Sequence, residues 1–264
     1  MSILAAVGWV IGIHAAFLWL LLALTTLREE MQRDVVAWVF CQLAAYGLGL
    51  FVLLRRYGKT SRIRDFLGVR QSHWLFYGLA AIIGATATIP ASALLGLIER
   101  RWPLDEGELS FSNLFYNSAG YQQVMIAVGV VLLAPLIEEA LFRGAIFVPL
   151  RKQYDRWTVI AVTALLFALV HQTPQRLPPL FLMGLLMGYL RASSGTMGVT
   201  IVAHAAFNAV PMSQMFLLGP EAENDDVSDI VLIATSVGCA LAIAAFHWLA
   251  ANSRRAAVAR ELDL

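Results

Sequence analysis

Residues 121–150 read YQQVMIAVGVVLLAPLIEEALFRGAIFVPL, and this stretch decides which solvent the chain folds in. A helix of that length covers about 45 Å, more than the roughly 30 Å hydrocarbon layer of a bilayer. The run from Val124 to Leu133 is apolar on every helical face, and the charged side chains of the stretch are Glu138, Glu139 and Arg143. A soluble amphipathic helix would keep a polar stripe. The stretch therefore reads as a membrane span with three ionisable groups inside it. Each costs at least ~2.5–3.5 kcal/mol on insertion scales, so an ionisable group inside a span points to function.

Seven further apolar blocks flank it, at about 3–26, 35–54, 75–98, 157–171, 178–190, 197–218 and 230–250. The predicted fold is an all-α polytopic membrane helix bundle of about eight transmembrane helices, with the fifth and sixth short or re-entrant. Composition agrees: of 264 residues, 59% are hydrophobic and 14% charged, and the mean hydropathy is +0.70, against about 25% charged in soluble domains. Nineteen basic residues against eighteen acidic ones leave a net charge of +1, which gives no electrostatic case for nucleic acid. Cys41 and Cys239 sit in apolar blocks outside any C-x-x-C pattern, so neither a disulfide framework nor a thiolate metal site is expected. The first block has neither a basic leader nor a small-residue cleavage site and reads as a retained span. With no internal repeat, residues 1–264 form a single membrane domain, of which 1–120 carry no motif.

Orientation follows from the distribution of Lys and Arg. With a cytoplasmic N-terminus, the inside loops hold Arg55, Arg56, Lys59, Arg62, Arg64, Arg70, Arg143, Arg151, Lys152, Arg156, Arg191, Arg254, Arg255 and Arg260. The outside set is Arg28, Arg33, Arg100, Arg101 and Arg176, with the acidic stretch Glu221 to Asp229 on the same side. Both termini are placed in the cytoplasm. The Trp residues at 19, 38, 74, 102, 157 and 248 fall mostly near span ends, as an aromatic belt requires. Gly184 and Gly188 make a small-residue face for close helix packing.

Three polar clusters interrupt the apolar blocks: EEALFRG from Glu138, FALVHQ from Phe167, and HAAFN from His204. Glu139 and Arg143 are four apart with the acid first, the favourable order for a helix pair. Glu138 lies about 100° round the helix with no obvious local partner. His204 and Asn208 are four apart and share one face. Glu138 lies seventeen residues before a turn near Asp155 and His171 sixteen after it, so an antiparallel pair brings both to one depth, with Pro149 as a complication. Amide hydrolysis needs an activated water, a proton carrier and oxyanion donors. Glu138 with His171 supplies the first two, and His204 with Asn208 the third. The alternative places zinc on His171, His204 and a Glu. No H-E-x-x-H is present, and Asn208 stands where a further His ligand would be expected.

These strings resemble the E-E-x-x-x-R, F-x-x-x-H and H-x-x-x-[NDB] motifs of the CPBP family, the CAAX protease and bacteriocin-processing intramembrane endopeptidases, also called the type II CAAX prenyl endopeptidase or Abi family. All three occur in the family's order on successive helices between Leu133 and Pro211. The resemblance implies catalytic helices over 121–218, variable spans over 1–120, catalytic Glu138, His171, His204 and Asn208, and supporting Glu139 and Arg143. It implies a membrane-associated or lipidated protein or peptide as substrate, with bacteriocin processing among the family's roles, and membrane lipid as surroundings. No cofactor or metal is expected, with zinc as the alternative. Alanine-rich helices and short loops point to a bacterial inner membrane. Two other classes compete: an idle scaffold or chaperone of the same fold, and a transporter using the same groups as an ion path. Inverted repeats, the mark of many transporters, are not detectable.

Overall fold

The computed structural model describes residues 1–27, 35–58, 62–103, 111–219 and 228–262. Ten helices follow in order: α1 (Ile3–Leu27), α2 (Val35–Tyr57), α3 (Ile63–Leu67), α4 (Trp74–Glu99), α5 (Phe111–Tyr116), α6 (Gly120–Arg151), α7 (Arg156–Leu169), α8 (Leu177–Ser194), α9 (Met197–Leu218) and α10 (Asp229–Leu262). Among the described residues there is no strand. Among those residues six helices, α1, α2, α4, α6, α9 and α10, are long and apolar enough to cross a membrane. The chain is an integral membrane protein of the all-α polytopic kind. Most of the acidic stretch from Glu221 lies outside the described residues, as do Arg28, Arg33 and Lys59.

The fifth and sixth blocks are the short ones, as expected, with α7 at 14 residues and α8 at 18. They form an antiparallel pair. Gly184 and Gly188 let α8 approach until an added Cβ would stand 2.8 Å from Ala164 Cα and 3.0 Å from an Ile160 methyl. At the apex of the pair, Gln175 Nε2 donates to the Pro103 carbonyl just beyond α4 (3.3 Å), so the apex reaches that end of the bundle. Asp155 starts α7 by accepting from the backbone N–H groups of Trp157 (2.8 Å) and Thr158 (3.2 Å).

Two packing units make the core. One joins α1, α2, α3, α6 and α7 through Phe17, Tyr46, Leu53, Phe142, Ile146 and Phe167. The other joins α4, α8, α9 and α10 through Phe76, Ile83, Met187, Ala203 and Phe246. Of the long spans, α6 is the most buried. Gly84 sets the approach of α4 to α9, since a Cβ there would stand 2.0 Å from the Ala203 carbonyl oxygen.

The long helix α6 is not uniformly α-helical. It widens into π-helical turns at Gly129–Leu133 and Ala140–Ile146, on either side of Glu138 and Glu139. Pro149 does not end it; the rod continues to Arg151. Arg143 and Arg191, counted with loops by sequence position, are buried at 0% and 7% exposure. The basic bias of that end of the bundle therefore rests on the remaining arginines and lysines. The expected Trp belt is exposed, from 49% at Trp38 to 71% at Trp74.

Candidate active site

Three helix irregularities place the polar side chains, each through a carbonyl that loses its ordinary partner. The first is at the end of α7. His171 N–H donates to Ala168 O rather than to Phe167 O, because the last turn tightens. The orphaned Phe167 carbonyl is met by His171 Nδ1 at 2.8 Å. A carbonyl only accepts, so Nδ1 carries the proton and Nε2 keeps its lone pair. The Phe167 ring packs edge-on against His171 (4.9 Å between centroids) and His204 (5.7 Å).

A second irregularity lies in the first π-turn of α6. Ala134 N–H reaches back five residues to Gly129 O. The next donor in that pattern would be residue 135, which is Pro135 and has no N–H. Val130 O is thereby left over, and Asn208 Nδ2 donates to it at 2.9 Å. The third is in α9, where Pro211 cannot serve Phe207 O four residues earlier. Thr88 Oγ1 of α4 donates there at 3.0 Å.

Glu138, Glu139 and His204 then meet at the centre. Glu139 Oε1 accepts from Arg143 Nη1 and from His204 Nδ1, each at 3.0 Å. The i,i+4 pair read from sequence is thus present. Arg143 also donates to Gly184 O at 3.1 Å and lies 4.7 Å above the Phe167 ring. With His204 Nδ1 turned to Glu139, Nε2 faces Glu138, 3.9 Å from Oε2. His171 is within electrostatic range of both Glu138 and His204. The structure brings Glu138, Glu139, Arg143, His171 and His204 together, and places Asn208 one helical turn beyond His204 with one amide N–H already engaged.

Two contributors were not found from sequence. Gln42 of α2 donates from Nε2 to Glu138 Oε1 at 2.6 Å. A polar amide in the middle of the apolar block 35–54 was the available indication. His14 of α1 contacts Gln172 beside His171, with 2.7 Å between His14 Nε2 and Gln172 Nε2. Gln172 adopts a left-handed backbone, φ 61°, which costs a residue with a Cβ about 1 kcal/mol or more.

A zinc centre needs three N, O or S donors about 2.0–2.3 Å from one point. Among the described residues no three His, Cys, Asp or Glu side chains are so placed. Such a centre would draw on Glu138 Oε2 and the Nε2 atoms of His171 and His204; of these, Oε2 and His204 Nε2 lie 3.9 Å apart.

Comparison with known proteins bears on the same segment. The chain is 29% identical over 132 residues to an uncharacterized 24.3 kDa protein of Escherichia coli. That alignment takes in 48% of this chain and 59% of the other, so the chain spans about six-tenths of that relative's length. No solved structure matches. The family model described as type II CAAX prenyl endopeptidase Rce1-like matches residues 120–210. Over those residues, which contain Glu138, Glu139, Arg143, Phe167, His171, His204 and Asn208, the chain is similar to the Rce1-like type II CAAX prenyl endopeptidases.

Proposed function

We propose that the protein is an intramembrane endopeptidase that hydrolyses a peptide bond of a membrane-associated or lipidated protein or peptide, without a metal. The observation that carries this reading is the convergence of two imidazoles on one carboxylate. His171 has a proton fixed on Nδ1 by Phe167 O, and His204 has its Nδ1 fixed on Glu139. His204 Nε2 is thereby turned to Glu138, 3.9 Å from Oε2, and His171 keeps its Nε2 lone pair for a water. Residues 121–218 are the catalytic unit in this reading, and residues 1–120 the more variable part. The protein resides in a bacterial inner membrane with both termini in the cytoplasm.

The chemistry balances with the side chains at hand. Glu138 takes a proton from a water that also hydrogen-bonds His171 Nε2, and the hydroxide oxygen adds to the substrate carbonyl carbon. The second N–H of Asn208 donates to the oxyanion, and so does His204, whose donation from Nε2 requires a proton on that nitrogen besides the one on Nδ1. The C–N bond then breaks, and the amine leaves with the proton that Glu138 had taken. Arg143 neutralises Glu139 so that Glu138 is the carboxylate left for the reaction.

The test is cleavage of a membrane-peptide library, with and without prenylation, by the purified protein in lipid. Wild type cleaves in the presence of a strong chelator, and Glu138→Gln and His171→Ala do not. Cleavage by Glu138→Gln at the wild-type rate overturns the reading. Chelator loss reversed by zinc replaces it with the metal mechanism. Partner binding insensitive to Glu138→Gln without cleavage favours a scaffold, and gradient-dependent flux a transporter.

A further inference from the structure

Gln42 lies on α2, in the part of the chain that no motif marks and outside the residues 120–210 that match the family model. Its neighbours Cys41, Ala45 and Tyr46 are buried, and Tyr46 packs in the same cluster as Leu141 and Ala145. Gln42 therefore faces α6 and not lipid. Its amide reaches Glu138 Oε1 at 2.6 Å, a short contact for an N–H donor on a carboxylate. An ionised carboxylate accepts and never donates, so it is the NH2 end of the amide that faces Glu138.

A glutamate carboxylate turns through a broad torsional well at its last bond, and an unpinned one presents either oxygen over a range of angles. Gln42 removes that freedom. With Oε1 held on the α2 side, Oε2 is sent across to α9, where it lies 3.9 Å from His204 Nε2. The choice of an amide matters as well. Lys or Arg at position 42 would pair with Glu138 as a counter-ion and quench its basicity, whereas Gln donates without charge and takes no proton from the reaction.

We infer that Gln42 is a positioning residue for the proteolytic step: it fixes Oε1 of Glu138 so that Oε2 alone faces the water and the two imidazoles. The inference rests on the reading of Glu138 as the base. It makes α2 part of the active site, so the N-terminal half is more than a variable scaffold.

The experiment uses the full chain in lipid vesicles and one fluorogenic transmembrane peptide, the fastest-cleaved member of the library. Wild type, Gln42→Met, Gln42→Asn and Glu138→Gln are compared for kcat, KM and thermal stability. Gln42→Met fills the same space in an apolar span without a donor. It lowers kcat by about 10- to 100-fold, the range for a hydrogen bond to a charged group, and leaves KM within about twofold. Gln42→Asn, which keeps the amide one carbon short, retains more kcat than Gln42→Met at equal stability. An unchanged kcat in Gln42→Met beside an inactive Glu138→Gln overturns the positioning role and leaves the base in place. Cleavage by Glu138→Gln overturns the base and this inference with it. Parallel losses of kcat, KM and stability in both Gln42 variants also overturn it, because they report packing.

Discussion

Arg143→Met removes one partner from a fully buried ion pair while keeping most of the side-chain volume. In the wild type the guanidinium holds Glu139 at 3.0 Å and Gly184 O at 3.1 Å over the Phe167 ring, with both ion-pair side chains at 0% exposure. Methionine leaves the Glu139 carboxylate in the bundle with His204 as its ion-pair partner and no guanidinium. Breaking a buried pair from one side costs about 3–5 kcal/mol, and a desolvated cation–π contact of about 2 kcal/mol is contained within that figure. The unfolding constant then rises by about two to four powers of ten. The assay is unfolding in mixed micelles titrated with a denaturing detergent. Adding Glu139→Gln removes the stranded charge but keeps a carbonyl oxygen for His204 Nδ1–H, so the double variant recovers most of the loss. A single variant within about 1 kcal/mol of wild type, or a double variant no more stable than Arg143→Met, refutes the claim that this pair matters through mutual neutralisation.

Gly84→Ala pushes a methyl into the Ala203 carbonyl beside His204 and lowers stability and kcat together, whereas Gly78→Ala on the same helix meets nothing within 4 Å and stabilises by about 0.5–1 kcal/mol; thermal melts and kcat of the two variants check this contrast. Asn208→Ala leaves Val130 O unserved at the Pro135 gap and costs about 1–3 kcal/mol; adding Pro135→Ala, which supplies an N–H there, restores stability on detergent titration but not cleavage. Asp155 lies outside the spans, and the Thr158 hydroxyl together with the Thr158 and Trp157 N–H groups holds its carboxyl below the ordinary range. A lowered folded-state value stabilises above the unfolded value and is lost as pH falls through the folded one, so the advantage of wild type over Asp155→Asn at neutral pH disappears in acid, as melts across pH 2–7 would register.

What sequence disclosed here follows from one rule: an ionisable group inside an apolar block stands out by its cost. Glu138, Glu139, Arg143, His171 and His204 were legible for that reason, and helical spacing gave the Glu139–Arg143 pair and the shared face of His204 and Asn208. Gln42 was not, because an uncharged amide in a span is cheaper and lies in a different motif-free helix. The π-turns were not legible either. At the first, Pro135 brings no N–H and Asn208 of another helix meets the freed Val130 carbonyl, an arrangement with no local pattern. Phe167 was read as part of a motif, but its place beneath Arg143 and between both imidazoles depends on how α6, α7 and α9 cross.

The same polar side chains that make the site also complete the backbone hydrogen bonding of the bundle. Inside a bilayer a carbonyl without a donor has no water to turn to, so each irregular turn must be answered by a side chain. His171 answers Phe167 O, Asn208 answers Val130 O, Thr88 answers Phe207 O, and Arg191 donates from Nε to Arg143 O at 3.1 Å. Their orientation is thus fixed by folding before any substrate arrives, which is what electrostatic preorganisation requires. It follows that replacing His171, Asn208 or Arg143 mixes a loss of chemistry with a loss of structure. Glu138 is different: its described contacts, to Gln42 and His204, are with side chains. Glu138→Gln changes one atom of the carboxylate and orphans no carbonyl. Its effect on rate therefore separates the chemistry of the site from the stability of the helices that carry it.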